Sequence, residues 1–368
     1  MDSNRVRMLD AIRRGKNSFS KKDLHRETEI AWGTMCKVVD TLVAEGDIFA
    51  RREEPSGRGR PMIPYCVNPD AMRFVGIDVG ADSTKTVVCD LTFNTLYRSC
   101  DRTPKYQGQD AFLHWLFGVF DGAMAGSGTS PTKLRGVGLS VSGNVDSEAG
   151  VLVSGGNFGL KWGASIPVAQ ALSEHAGAPV RAMTTTAAAV WGEYHFGARA
   201  GCGDLVTILL GVGIGSGVVS NHQLLISQPG RPVGYIGHLL MPDNKNLCAC
   251  GFRGCIESFS GGKALGRDAH ALDLAADDGD PEAAALLRKA ASYNALGVAN
   301  MIQLYSPEAL VFAGGQARKD GFLYQATLDA LDEILPDERR RRVVISLSTL
   351  GPEQSALGAA RLAYESFF

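Results

Sequence analysis

Cys248, Cys250 and Cys255 lie within eight residues, in the run Cys-Ala-Cys-Gly-Phe-Arg-Gly-Cys, and His238 stands ten residues before the first of them. Three thiols and an imidazole are a complete tetrahedral donor set for zinc, and Gly251 and Gly254 let the backbone turn tightly enough for closely spaced sulfurs to converge. With four protein donors no position is left open for substrate, so the spacing predicts a structural zinc rather than a hydrolytic one. The alternative is a set of buried free cysteines. Three thiols interleaved with glycine are poor core filler, which favours the metal.

A second group of residues could handle an anion. Val75-Gly76-Ile77-Asp78-Val79-Gly80 is followed by the apolar run Thr86 to Leu91, and Leu205 to Leu210 is followed by Gly211-Val212-Gly213-Ile214-Gly215-Ser216-Gly217-Val218-Val219. Strand, glycine-rich turn, strand, occurring twice, predicts an internal duplication with two α/β lobes facing a cleft. Gly80, Gly211, Gly213, Gly215 and Gly217 would let backbone amides approach an anion, and two facing hairpins could hold a triphosphate. Any tight hairpin needs the same freedom, so the turns alone specify little.

The first seventy residues follow a different pattern. Val6, Met8, Leu9 and Ile12 give one helical face, Ser20 with Asp23 three residues on reads as an N-cap, and Met35, Val38, Val39, Leu42 and Val43 give the face of a third helix that Gly46 stops. Three short helices with a tight last connection predict a helix-turn-helix. Trp32, Thr34 and Lys37 then lie on the exposed N-terminal side of the recognition helix, where base edges and phosphates are reached. Residues 47–65 carry short apolar pieces around Gly57-Arg58-Gly59-Arg60-Pro61, as a β-wing would, and Arg58 and Arg60 suit a narrow minor groove. A protein-binding helical module and a solvated linker are the plainer alternatives.

Composition agrees with a folded, multi-domain chain: 368 residues, 45% apolar and 21% charged, net charge −2. Residues 1–65 hold 13 Lys and Arg against 10 Asp and Glu, a net +3 that leaves −5 for the rest. A basic head on an acidic body points to an anionic partner for the head. No run of eighteen apolar residues occurs and Met1 to Arg5 has no apolar signal core, so a cytoplasmic protein without membrane contact is expected. Cys36, Cys66, Cys89, Cys100 and Cys202 have no framework spacing and predict reduced thiols. The aromatic helix from Asp110 to Met124 reads as core, and the acidic loop Asp277 to Asp280 as solvated rather than calcium-binding.

Taken together, the glycine-arginine tip, Gly76-Ile77-Asp78-Val79-Gly80, Gly234-Tyr235-Ile236-Gly237-His238, the cysteine run ending Cys255-Ile256-Glu257, and Pro307 to Gly315 resemble the repressor branch of the ROK family (repressors, open reading frames, kinases) over nearly the whole chain. The resemblance implies an actin- and hexokinase-like two-lobed α/β body with a winged helix-turn-helix head. It divides the chain into residues 1–70 for the head, 71–192 plus 354–368 for a smaller lobe, and 193–353 for a larger lobe with the zinc site.

Family kinases use an aspartate, in an Asn-Asp pair before an alanine-rich helix, to take the proton from a sugar hydroxyl. Counting back from Gly192-Glu193 places Thr184 and Thr185 at that pair. Neither can act as the base. Tyr235 replaces a glutamate of the sugar site, and Asp82 brings negative charge into the first phosphate loop, which argues against ATP. Asn157, His238 and Glu257 are retained and, with Thr184, Thr185 and Tyr235, are the candidate ligand contacts. The expectation is a DNA-binding regulator, a repressor, that senses a sugar or sugar derivative as a homodimer or homotetramer on a double-stranded operator. An ATP-dependent sugar kinase with an added head is the alternative, and a regulator with a ligand-free, vestigial cleft is a third.

Overall fold

The computed structural model describes residues 3–51, 63–105, 108–155, 165–227, 231–266 and 269–368. Arg58 and Arg60 of the predicted wing tip, and Asn157, lie outside the described residues.

Three helices open the chain: α1 (Ser3–Arg14), α2 (Lys21–Thr28) and α3 (Trp32–Ala44). Ser20 starts α2 with a capping box, its hydroxyl accepting from the Asp23 N–H while the Asp23 carboxylate accepts from the Ser20 N–H at 3.0 Å. On α3 the buried residues are Met35, Val39 and Leu42, spaced i, i+4 and i+7. Val43, expected on the same face, is 41% exposed. It stands about 100° round the helix from Leu42, beyond the apolar stripe. Gly46 turns the chain at φ 80° into β1 (Ile48–Ala50), which pairs antiparallel with β2 (Tyr65–Val67).

The body then repeats one design. In its first half β3 (Arg73–Val79), β4 (Ser83–Asp90) and β5 (Thr95–Arg102) form an antiparallel meander. After α4 (Gln109–Ser127), β6 (Leu134–Val141) joins β3 in parallel; a small ribbon, β7 (Asn144–Asp146) and β8 (Val151–Ser154), and α5 (Val168–Ala176) lead to β9 (Val180–Thr184), parallel to β6. The sheet order is β5-β4-β3-β6-β9. Phe112, Leu116 and Phe120 of α4 are buried in its core, so no cofactor is needed to explain them.

Helix α6 (Thr185–Phe196) crosses to the second half. There β10 (Leu205–Leu210), β11 (Ile214–Ser220) and β12 (Gln223–Leu224) are the antiparallel strands. A short ribbon, β13 (Ile226–Ser227) and β14 (Arg231–Pro232), the turns α7 (Glu257–Ser260) and α8 (Gly262–Leu265), and the helices α9 (Ala269–Asp277) and α10 (Pro281–Tyr305) precede β15 (Ala309–Ala313). After α11 (Phe322–Ile334) and α12 (Asp337–Arg342), β16 (Val344–Leu347) completes the order β12-β11-β10-β15-β16. Three antiparallel strands followed by two parallel ones appear in both sheets, which is the duplication anticipated from the two glycine hairpins. Asp280 caps α10 by accepting from the N–H groups of Glu282 and Ala283, a helix-starting role for the acidic loop.

The last helix, α13 (Gln354–Phe367), returns to pack on β3, β6 and α6. It also meets the head: Met8, Leu9, Ile12, Leu24, Met35 and Leu42 share one buried cluster with Phe74, Leu91, Tyr364 and Phe368. Head and body are thus joined through a common apolar core as well as along the chain. Among the described residues, no helix is long and apolar enough to cross a membrane.

Candidate ligand cleft and metal cluster

The register of three parallel strands assembles the first site. Asp78 near the end of β3 is paired with Ser140 of β6, and the next pair along brings Val141 beside Thr184 of β9, from which α6 starts. Ser140 Oγ donates to Asp78 Oδ1 at 2.7 Å and Thr185 Oγ1 donates to the same oxygen at 2.8 Å. Thr184 is the N-cap of α6, its hydroxyl accepting from the Ala187 N–H at 3.3 Å. The sequence around Thr185 holds no carboxylate, yet the fold delivers one from strand β3. Burial pushes the Asp78 carboxyl above the usual carboxylate range, and Lys85, its cross-strand neighbour, with the two hydroxyls only partly opposes this. The signal that could have found it was a lone acid inside an apolar strand, a placement that demands partners.

The glycine turns do less for an anion than their composition suggests. The Gly80 N–H donates to Ser83 O at 3.1 Å and the Gly211 N–H to Gly213 O at 3.0 Å, so both amides are used within their own hairpins. Gly215 and Gly217 lie where β11 passes under α6: a Cβ would meet Thr186 Cγ2 at 2.5 Å and Thr186 O at 2.2 Å respectively. These two glycines are accounted for by strand-on-helix packing. The Gly211 and Val212 carbonyls accept from the Gly262 and Lys263 N–H groups, which fastens α8 to the turn. Beside it sits Gln316, 8% exposed, whose amide oxygen and nitrogen have no partner among the described residues. Asp82, in the first turn, is exposed.

Glu257 begins α7, and its Oε2 accepts from the Ile214 N–H at 2.8 Å, so this carboxylate anchors the start of β11. Glu257 and Thr185 therefore address different strands, one on each sheet. A single 3-10 turn, Ile236–His238, presents Tyr235 and His238 side by side with ring centroids 5.8 Å apart, and Tyr235 is 49% exposed.

His238, Cys248, Cys250 and Cys255 converge as their spacing predicts: all four candidate donor atoms lie within 4.8 Å of one another. Cys250 Sγ and Cys255 Sγ are 3.6 Å apart, and Cys248 Sγ is 3.7 Å from His238 Nδ1. A tetrahedron with Zn–S bonds of about 2.3 Å has edges of roughly 3.8 Å, so the spacing suits that ion and is far too long for a disulfide. Gly251 and Gly254, both at φ 94°, make the turns, and a Cβ at Gly254 would press on the Asn244 and Met241 carbonyls. Asn244 Nδ2 holds the loop by donating to Cys255 O at 2.8 Å. Burial pushes the Cys248 and Cys255 thiols up, so gathering thiolates here calls for a cation among them.

On the head, Trp32, Thr34 and Lys37 are exposed along the first turns of α3. The Trp32 ring is held edge-on by His25, at 5.5 Å between centroids, and His25 Nδ1 lies 2.8 Å from Ile30 O. The indole is thus oriented by His25 while remaining half exposed.

Comparison with known proteins gives the same architecture. The ROK family model matches residues 74–366. The chain is similar to the xylose repressor of Caldicellulosiruptor bescii, 23% identical over 340 residues that cover 86% of this chain and 83% of the repressor. It is also similar to the glucokinase of Streptomyces coelicolor, 25% identical over 319 residues that cover 79% of this chain and 97% of the kinase. A crystal structure of a ROK family transcriptional regulator, a homologue of the E. coli MLC protein, aligns with TM-score 0.81 at 20% identity, covering 99% of this chain and 97% of that one. The two-lobed actin- and hexokinase-like body with an N-terminal helical domain is the fold of this chain.

Proposed function

The chain belongs to the ROK family, and from that premise we propose that it is a DNA-binding transcriptional repressor that senses a sugar or sugar derivative in a cleft derived from a sugar kinase. The carrying observation is that the position expected to hold the catalytic base is Thr185, whose hydroxyl is engaged with Asp78. A threonine cannot take the proton of a sugar hydroxyl near neutral pH, so the cleft is suited to binding rather than phosphoryl transfer.

In this reading residues 1–70 are the winged helix-turn-helix domain and α3 is the recognition helix. Trp32, Thr34 and Lys37 face the DNA, with Arg58 and Arg60 in the wing. The body comprises a smaller lobe of residues 71–192 plus 354–368 and a larger lobe of residues 193–353. Polar groups of Asn157, Glu257, Thr184, Thr185, Tyr235 and His238 meet the effector, and Asp78 joins them. A zinc held by His238, Cys248, Cys250 and Cys255 would be saturated by protein donors and would brace the larger lobe between Tyr235 and Glu257. Gly80, Asp82, Gly211, Gly213, Gly215 and Gly217 mark phosphate loops that no longer serve ATP. A homodimer or homotetramer would present two heads to one operator, and cleft closure would change their spacing. The similarity to a xylose repressor supports this reading.

Electrophoretic mobility shifts on duplex DNA from upstream of its own gene test it. Binding that weakens steeply as salt rises is expected; no shift at any salt concentration overturns it. A second reading, an ATP-dependent sugar kinase, draws on the similarity to a glucokinase and on the Asp78 carboxylate beside Thr185. Turnover above background in a coupled assay across hexoses, pentoses and amino sugars would favour it.

A further inference from the structure

A buried guanidinium adds a polar fastening to the apolar core that head and body share. Arg361 of α13, with its side chain 3% exposed, grips Asp10 of α1 through both nitrogens, Nη1 to Oδ1 at 2.7 Å and Nη2 to Oδ2 at 2.5 Å, and its Nε donates to Glu365 Oε1 at 2.7 Å. Glu365 in turn receives α6: Trp191 Nε1 donates to its Oε2 at 3.0 Å, and His195 Nε2 lies 3.3 Å from its Oε1. Arg13 closes the set, paired with Asp10 and stacked over Phe93 and Tyr364 at 4.8 and 4.7 Å. Burial works against the charges of Asp10 and Glu365, but the arginine contacts outweigh it and hold both below their ordinary range. Burial and Arg361 hold the His195 imidazole below its ordinary range, with Glu365 and Asp10 opposing them. Two carboxylates thus balance two guanidinium groups, and no charge in the set is left over.

The far end of α6 is at the candidate ligand site. Thr185 is its first residue and bonds Asp78, and His195 lies ten residues on, about 15 Å along one helix. Helices α6 and α13 cannot slide freely, because they touch backbone to backbone. A Cβ at Gly192 would meet Gln354 O at 2.5 Å, and one at Gly358 would meet Ala188 O at 1.8 Å. A shift at Thr185 therefore reaches Glu365 through a rigid rod, and from Glu365 passes to Arg361 and Asp10.

We propose that the Thr185 to Asp78 bond and the Asp10–Arg361–Glu365 joint are two ends of one lever, α6, through which the state of the cleft sets the docking of the head. A ligand hydroxyl that takes over Asp78 Oδ1 releases Thr185, frees the start of α6 and loosens the grip of α13 on α1. In this lever Trp191, His195 and Glu365 are positioning residues. The inference rests on the repressor reading for its biological meaning but not for its physics.

The test is a double-mutant cycle on the full chain, read by hydrogen exchange of the α1 amides and, separately, by affinity for the upstream duplex. Thr185→Val removes the hydroxyl at constant shape, Thr185→Ser restores it, and Glu365→Gln weakens the joint without emptying it. Thr185→Val alone is expected to speed α1 exchange roughly fivefold, Thr185→Ser to restore protection, and Thr185→Val to add nothing in the Glu365→Gln background. No change in α1 exchange from Thr185→Val, or effects that add independently, overturns the lever. A protein that shows the coupling but binds no duplex keeps the lever and loses the repressor reading. One that binds duplex with additive effects loses the lever alone.

Discussion

Thr185 donates its hydroxyl to the buried carboxylate of Asp78 at 2.8 Å, on the oxygen that Ser140 also uses. The two residues are 107 apart in sequence, and their meeting turns the expected seat of a catalytic base into a neutral cap on a buried acid. Several properties of the protein hang on that contact and on its counterpart at the head.

Asp78→Asn keeps an Oδ1 acceptor for both hydroxyls while removing a charge from a buried site. Because burial raises the folded-state pKa of Asp78, the folded form binds its proton more tightly than the unfolded chain does. Wild-type stability then falls as pH rises from the ordinary carboxylate pKa through the raised one. Thermal melting should show Asp78→Asn equal to or more stable than wild type at pH 7, with the advantage gone near pH 3, while sugar-induced stabilisation is lost.

Asp10 behaves in the opposite sense. Burial raises its pKa, but Arg361 and Arg13 overcome this and bring it from 3.8 to about 2. The pair therefore contributes its stability above about pH 4 and loses it as pH falls towards 2, a contribution of about 2 kcal/mol at neutral pH. Denaturant melts of Asp10→Asn should show a loss of that order at pH 7 that shrinks by pH 3. The loss should be concentrated in the head, as read by proteolysis of α1 to α3.

The cysteine cluster should hold about one zinc per chain. Elemental analysis of reduced protein checks this, and Cys250→Ser should lower both zinc content and melting temperature. Chelation should remove the sugar response before it removes DNA binding, since the donors lie between Tyr235 and Glu257 and far along the chain from α3. Full thiol reactivity without zinc in freshly purified protein would contradict the metal.

For the head, Lys37→Ala should weaken duplex binding about equally for all sequences and reduce the slope of log affinity against log salt by roughly 0.9, the share of one phosphate contact. Trp32→Ala should leave that slope unchanged and lower discrimination among sequences. Anisotropy titrations at several salt concentrations separate the two.

What was legible in the sequence was local. The Ser20 to Asp23 cap, the stripe of Met35, Val39 and Leu42, and the convergence of Cys248, Cys250 and Cys255 are each set within one or two turns of chain, where spacing dictates geometry. The paired hairpins were legible too, because strand, turn, strand is itself a short-range pattern. The rest depends on register and on long-range packing. Asp78 meets Ser140 and Thr185 only because β3, β6 and β9 align in parallel. Asp10 and Arg361, 351 residues apart, meet only because α13 returns to the head. Gly215 and Gly217 looked like anion-site glycines because the demand for space beside a phosphate and beside a helix leaves the same residue.

The most direct test of the whole account is the affinity of the purified protein for its upstream duplex, measured by equilibrium anisotropy with and without saturating sugar across a panel of pentoses, hexoses and amino sugars, with ATP consumption followed in the same samples. Nanomolar-range, salt-sensitive binding that one sugar class weakens by about tenfold or more is expected, with ATP untouched. Duplex affinity indifferent to every sugar, together with sugar-dependent ATP consumption, would contradict it.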